Sequence, residues 1–216
     1  MIARDSRLGR DFFAVSAVRL ARRLLGQRLV RVLPGGQRLA GIIVETEAYV
    51  GTRDRASHAF AGRRTPRNES MFGPAGLAYV YFTYGMHHCF NVVGAREGVP
   101  EAVLVRALEP TEGLASMRRR RRLAPNAATH AVCSGPAKLC QALGIDRAQD
   151  GVDLCASTVL WIEPAPPIRR AVRTPRIGIA FAGEWAGKPL RFLVPGSFHV
   201  SPGGRRGMLP GVSPRA

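Results

Sequence analysis

The stretch Gly41-Ile42-Ile43-Val44-Glu45-Thr46-Glu47-Ala48-Tyr49 decides how this chain is read. It opens as an apolar, β-branched run and then alternates acidic with small or aromatic side chains. β-branched residues favour a pleated, half-buried surface, so the pattern predicts a strand over Gln37–Tyr49. Alternate side chains of a strand share a face, which sends Glu45, Glu47 and Tyr49 the same way. Arg28–Leu33 reads as the partner strand, joined to it through the hairpin signal Pro34-Gly35-Gly36.

Outward from this hairpin the chain keeps mixing periods. Upstream, Phe12, Val15, Val18, Leu24 and Leu25 recur at helical steps and predict one amphipathic helix over Asp11–Leu25, closed by Gly26. Downstream, residues 51–76 are loop-like, rich in Gly, Arg, Pro and Asn. Leu77–Thr83 and His87–Val93 flank Tyr84-Gly85-Met86 as a second hairpin, and Val103–Leu108 is a further strand. Thr111-Glu112-Gly113-Leu114 reads as a capped helix start leading into Arg118–Arg122. A short helix, Ala137–Leu143, follows Cys133-Ser134-Gly135-Pro136 and stops at Gly144. After the proline-rich Glu163–Pro167 come strands at Arg176–Phe181 and Leu190–Val194. Residues 201–216 read as a loose C-terminal tail. With no internal repeat and no break in composition, the expectation is one mixed α/β domain over residues 1–200.

Composition narrows the function classes. A chain of 216 residues with 46% apolar content can build a real core and is not disordered, collagenous or coiled-coil. No apolar run nears the ~18–20 residues of a membrane span. The N-terminus is charged and has no secretory apolar core, so the expected compartment is the cytoplasm. Four cysteines (Cys89, Cys133, Cys140, Cys155) form no CxxC pair and are expected as reduced, mostly buried thiols. No metal site and no cofactor is expected: consecutive His87, His88 and Cys89 point to alternating faces, and His130 and His199 stand alone.

The charge points to a partner. Thirty-two basic residues against fifteen acidic ones leave +17, carried by thirty arginines and only Lys138 and Lys188. Such an excess is the footprint of a phosphate-backbone partner, although a ribosome, an acidic protein or an anionic membrane surface would also attract it. The run Arg118–Arg122 fits either a solvated helix end or a DNA contact.

Acids are scarce, which singles out Glu45 and Glu47. A carboxylate partly desolvated beside an aromatic ring suits a general base under a flat substrate; the pair alone also fits the polar outer face of an edge strand. Nearby, His58 sits in an Arg-rich loop, Tyr79 and Tyr81 share a face, and Tyr84 sits at a hairpin tip. A turn tyrosine can simply pack, but an exposed one can wedge between bases. Basic charge, stacking aromatics, a wedge and a carboxylate together suggest chemistry on an extruded base.

Six segments then form an ordered set: Val44-Glu45-Thr46-Glu47-Ala48-Tyr49, Arg64-Thr65-Pro66-Arg67-Asn68, Tyr79-Val80-Tyr81-Phe82-Thr83-Tyr84-Gly85-Met86, Arg106-Ala107-Leu108-Glu109-Pro110, Cys133-Ser134-Gly135-Pro136 and Ala182-Gly183-Glu184-Trp185. Together they closely resemble the alkyladenine (3-methyladenine) DNA glycosylase family, in its bacterial form, from about residue 12 to 200. The resemblance implies a curved antiparallel β-sheet with surrounding helices and a protruding β-hairpin. It also implies excision of alkylated or deaminated purines from double-stranded DNA. A small enzyme scanning duplex needs no partner subunit, so a monomer at the bacterial nucleoid is expected, with no membrane partner.

By that resemblance Glu47 is the general base, and Arg106 with the Ile177 carbonyl holds the water. Tyr49 covers one face of the flipped base, His58 and Tyr81 the other. Asn91 lies at the purine edge, Tyr84 fills the duplex gap, and Met86 and His87 flank that wedge. Strand-cutting glycosylases usually use an amine nucleophile. Neither lysine adjoins Glu47 in sequence, so a monofunctional hydrolase without lyase activity is expected. The rival readings are a non-enzymatic binder of bent or damaged duplex and a ribosome-associated basic protein.

Overall fold

The computed structural model describes residues 7–202. Its N-terminal helical segment is broken. The helix expected over 11–25 is two, α1 (Arg10–Phe13) and α2 (Ala17–Leu24). Between them Ser16 has ψ 148°, outside the helical range, and the Val15 carbonyl accepts from Ala95 N–H. Long-range bonding wins over local periodicity here: Ala17 N–H, at the start of α2, donates to Glu101 Oε2 at 2.6 Å. A carboxylate at a helix N-terminus also suits the dipole.

Strands β1 (Arg28–Val32) and β2 (Arg38–Tyr49) form the expected first hairpin, and β3 (Ala78–Thr83) and β4 (His87–Val93) the second. β5 (Ala102–Glu112) outruns its expected end at Leu108 and passes through Thr111 and Glu112. The helix after it, α3 (Leu114–Arg120), therefore starts without a side-chain cap. Gly113 at φ 75° makes the corner, and Glu112 pairs with Arg38 instead. α4 (His130–Cys133) and α5 (Pro136–Leu143) follow. β6 (Leu160–Glu163) and β7 (Val172–Thr174) were not foreseen, and β8 (Arg191–Leu193) lies inside the expected 190–194. Arg176–Phe181, expected as a strand, is not one. Its alternating Ile177, Ile179 and Phe181 mimic strand period, but Gly178 turns at φ 77° and a 3₁₀ segment runs over Ala180–Ala186.

The sheet order is β3-β4-β5-β2-β1-β6, every pair antiparallel. β7 and β8 attach to β2 as well. β1 leaves the edge of β2 at Ile42, and β8 takes it up at Glu45. This change of partner curls the sheet where the two acids sit. On the other edge the β2–β5 register slips three times. Thr111 has no partner between Ala40↔Glu112 and Gly41↔Pro110, Val44 none between Ile43↔Leu108 and Glu45↔Ala107, and Arg106 none between Glu45↔Ala107 and Thr46↔Val105. The bulges at Val44 and Arg106 cancel, and bulges re-aim side chains.

The two faces of β2 then diverge. Thr46 Oγ1 donates to the Ala21 carbonyl of α2, while Glu45 and Glu47 contact Arg106 on the opposite face. The main core lies against α2 and α5 and includes Phe13, Leu20, Leu24, Ile43, Phe90, Val103, Leu139 and Leu143. Each such side chain contributes about 1.5–3 kcal/mol by leaving water. Two arginines of the run are structural: Arg118 donates to the Ala127 carbonyl, and Arg121 to Val132 and Gln141, while Arg119, Arg120 and Arg122 are exposed. Of the expected tail over 201–216, Ser201 is buried in the fold; residues 203–216 lie outside the described residues. No helix among the described residues is long and apolar enough to cross a membrane.

Candidate active site

A row of side chains in register crosses four strands: Glu47 on β2, Leu104 on β5, Asn91 on β4 and Tyr79 on β3. Directly opposed residues of an antiparallel ladder share a face, so the row builds one wall. Above it opens a cavity of about 220 Å³ lined by Tyr49, His58, Tyr81, Asn91, Arg106 and Ile177 among others. It lies below the roughly 300–1,000 Å³ of drug-sized sites, on the scale of one flat ring system.

Glu47 is completely buried at this wall, and its carboxylate is gripped by three groups that line the cavity. The Tyr49 phenol donates to Oε2 at 3.0 Å, Ile177 N–H donates to Oε1 at 2.8 Å, and Arg106 Nη1 lies 3.3 Å from Oε1. A carboxylate offers about four acceptor sites, so one remains for a further donor such as water. Ile177 meets Glu47 through its N–H; holding the water through its carbonyl, as the resemblance implies, would be a separate contact.

Glu45, also completely buried, anchors the apparatus. It accepts from Arg106 Nε at 3.0 Å, Arg191 Nη1 at 3.2 Å, and from Ser201 through both N–H and Oγ. Burial pulls the Arg106 proton affinity down, but Glu47 and Glu45 outweigh it, and the guanidinium is held firmly charged. Burial, and then Glu47, push the Tyr49 phenol well up, so it stays a donor through the alkaline range.

The aromatic walls have their own supports. Tyr49 carries the Arg176 guanidinium over its ring, 4.6 Å from the centroid. Arg176 is held in turn by a buried, two-pronged bond to Asp54 at 2.6 and 2.9 Å. His58 meets Tyr81 edge-on at 4.6 Å, and its Nδ1 is 2.7 Å from the Tyr79 hydroxyl. Burial, helped by Arg67 and Arg63, lowers the imidazole to about 4, so it is neutral at pH 7. Asn91 Nδ2 donates to the Tyr79 carbonyl, which fixes its amide at the cavity floor.

At the mouth, Tyr84 is 83% exposed at the hairpin tip with φ 51°, and Met86 is exposed beside it, as is His87. The structure thus gathers Arg106, Tyr49, His58, Tyr81, Asn91 and Ile177 around one cavity, with Glu47 buried directly behind Tyr49, Arg106 and Ile177. It sets Tyr84 on the rim and Met86 and His87 on the hairpin beyond. A buried carboxylate, a flat aromatic slot and an exposed wedge suit hydrolysis at a base drawn out of a helix.

Comparison with known proteins agrees. Residues 11–198 match the family model described as methylpurine-DNA glycosylase (MPG). The chain belongs to the methylpurine-DNA glycosylase family. It is 50% identical over 205 residues to the DNA-3-methyladenine glycosylase of Homo sapiens, covering 91% of this chain and 68% of that protein. Its match to the Mus musculus enzyme of the same name is 49% over 207 residues, 91% of this chain and 62% of that protein. A Myxococcus xanthus protein, whose name assigns the same activity provisionally, is 50% identical over 204 residues, 92% of this chain and 97% of its own. As a member of this family the chain is a DNA repair hydrolase of N-glycosyl bonds.

Sequence reasoning missed several members of the site. Asp54 and Arg176 meet across 122 residues, and no local pattern announces such a pair. Phe181, 73% exposed, forms another part of the cavity lip, and Cys89 lines the wall beside Tyr81. Phe181 adjoins the Ala182–Trp185 segment, which was the available signal. Lys188 stacks on Trp185 and pairs with Glu184, and neither lysine lines the cavity.

Proposed function

We propose that Glu47 activates a water molecule to hydrolyse the N-glycosidic bond of an alkylated or deaminated purine flipped from double-stranded DNA. The observation that carries this reading is the buried Glu47 carboxylate, held by Tyr49, Ile177 and Arg106 with one acceptor position left over. Cleaving a glycosidic bond builds positive charge on the sugar, so a fixed carboxylate also steadies the transition state.

Tyr49 and the His58–Tyr81 pair form the slot for the base. A purine methylated at N3 or N7 is cationic, and aromatic faces bind a cation by about 0.5–2 kcal/mol. A neutral His58 adds no opposing charge. Asn91 bounds the purine edge, Tyr84 occupies the vacated stack, and Met86 and His87 brace the hairpin against the duplex. Arg106 and the Ile177 backbone hold the carboxylate and water in line. Because no lysine lines the cavity, base release proceeds by water alone, without strand cleavage. The enzyme works as a monomer on genomic duplex in the bacterial cytoplasm, as one domain ending near residue 200.

The test is Glu47→Gln on oligonucleotides each carrying one methylpurine, scored by alkali cleavage of abasic sites. Base release falls by at least about 10²–10⁴-fold while lesion duplex is still bound. Undiminished release by the variant overturns the role of Glu47. A borohydride-trapped adduct overturns the water-only route.

A further inference from the structure

A second cavity, of about 930 Å³, lies between α2 and the segment that leads into β7. Its walls carry Arg19, Arg22 and Arg23 from the helix and Arg169, Arg170 and Arg173 from the segment, over a floor that includes Leu25, Ile168 and Phe192. No Asp or Glu lines it, and among the described residues none of these six arginines has a carboxylate partner. The cleft is built rather than incidental. Gln27 exchanges two hydrogen bonds with Ala165, and Gly26 lies so close that a Cβ there would meet Ile168 at 2.7 Å. Arg173 stacks over Phe192 at 5.4 Å.

This cleft faces away from the lesion cavity. Phe192 sits opposite Thr46 in the β2–β8 ladder, and Thr46 bonds to α2. The neighbours Arg191 and Glu45 point to the other face, where they meet one another behind the active site. A duplex presenting a base to Glu47 would have to wrap round to the opposite face of the fold to reach the arginines, a far sharper turn than the 40–90° bends that cost about 1–6 kcal/mol over 20–30 bp.

We propose that the cleft is a second anion site that holds the phosphate backbone of another DNA segment while the first occupies the lesion cavity. The inference rests on the reading of DNA as substrate. Duplex DNA carries one charge per ~1.7 Å of axis, a dense row of phosphates for six arginines to meet. Arginine forks fit phosphate oxygens in pairs. Arg19, Arg22 and Arg23, three and four positions apart, share one helix face and space their charges about 4.5–6 Å along the axis. The chain thereby bridges two segments and passes between them without full release.

The experiment uses the full chain, an immobilised methylpurine duplex of about 12 bp, far below the bending length, and a labelled undamaged duplex of the same size. The wild type retains the label. The triple variant Arg22→Glu, Arg169→Glu, Arg170→Glu lowers retention at least about tenfold and flattens the salt dependence by about 0.9 per lost phosphate contact. Single-turnover base release from the methylpurine duplex is unchanged. The milder pair Arg169→Gln, Arg170→Gln gives a smaller loss in the same direction and guards against misfolding. Retention equal to wild type in both variants overturns the proposal. So does polyglutamate displacing the label better than unlabelled duplex at equal charge, which would assign the cleft to an acidic polypeptide. If the wild type releases no base yet still retains the label, the catalytic reading falls and this one stands.

Discussion

The Tyr49 phenol donates to Glu47 Oε2 across 3.0 Å, from two residues further along the same strand. One side chain thus forms a wall of the cavity and orients the carboxylate proposed as the general base. Tyr49→Phe separates the two duties, because the ring remains and only the donor goes. A hydrogen bond to a charged group is worth about 1.5–3 kcal/mol, or roughly 10–150-fold in rate if it is fully expressed in the transition state. Single-turnover kinetics show the drop in the chemical step, with lesion affinity nearly unchanged; Tyr49→Ala loses both. An affinity loss in the Phe variant as large as its rate loss would contradict this division.

Asp54 and Arg176 form a completely buried pair behind Tyr49, and Arg176 precedes the Ile177 amide that meets Glu47. Asp54→Asn strands a guanidinium away from water, which costs about 3–5 kcal/mol. Replacing both, as Asp54→Leu with Arg176→Met, costs less than the single change, since no orphaned charge remains. Denaturant unfolding of the two variants measures the difference. A double variant less stable than Asp54→Asn would show that the pair contributes net stability.

How much of this was legible follows from which contacts are local. The two hairpins, the shared face of Glu45, Glu47 and Tyr49, and the exposed Tyr84 all rest on period-two spacing and turn residues, which neighbours in sequence encode. The bulges at Val44 and Arg106 are a property of two strands meeting some sixty positions apart, so neither strand signals its own slip. Glu45 looked like a second candidate base. Its actual partners, Arg191 and Ser201, lie 146 and 156 residues away and make it an anchor. Arg176–Phe181 misled because alternating apolar residues also suit a loop: Gly178 turns the chain at φ 77°, Ile177 and Ile179 line the cavity, and Phe181 stands exposed at its lip. The helix over 11–25 broke because Glu101 and Ala95 claimed its backbone.

His58 ties stability to pH. Its imidazole titrates at about 4 in the folded chain, below its ordinary value of 6.5, chiefly through burial and then through Arg67 and Arg63. Between these values the unfolded chain binds the proton and the folded chain does not, so stability rises with pH through the window and falls as pH drops from 6.5 to 4. The full shift corresponds to at most about 3 kcal/mol, reduced by the ring's partial exposure. Thermal melts from pH 7 to pH 4 show this decline, and His58→Gln removes that share of it. An identical decline in the variant would place the pH sensitivity elsewhere.

Tyr84 occupies the left-handed region at φ 51°, followed by Gly85 at φ 66°, the two central residues of a tight turn closed by Met86 N–H to the Thr83 carbonyl at 3.3 Å. An aromatic residue is strained there, at about 1–3 kcal/mol, and 83% exposure recovers little of that through burial. Stability alone would favour Asn or Gly at this turn. Strain retained at an exposed tip is the mark of a residue kept for contact with something else. Tyr84→Gly therefore leaves the melting temperature unchanged or slightly raised, since relief of strain offsets the added freedom of the unfolded chain, about 0.5–1 kcal/mol. Retention of a flipped base falls, because the gap in the stack is no longer filled. Stopped-flow fluorescence of a reporter base beside the lesion reads the flipping equilibrium, and calorimetry reads the fold. If Tyr84→Gly lowers stability while flipping stays as in the wild type, the tyrosine packs the hairpin and the wedge assignment is wrong.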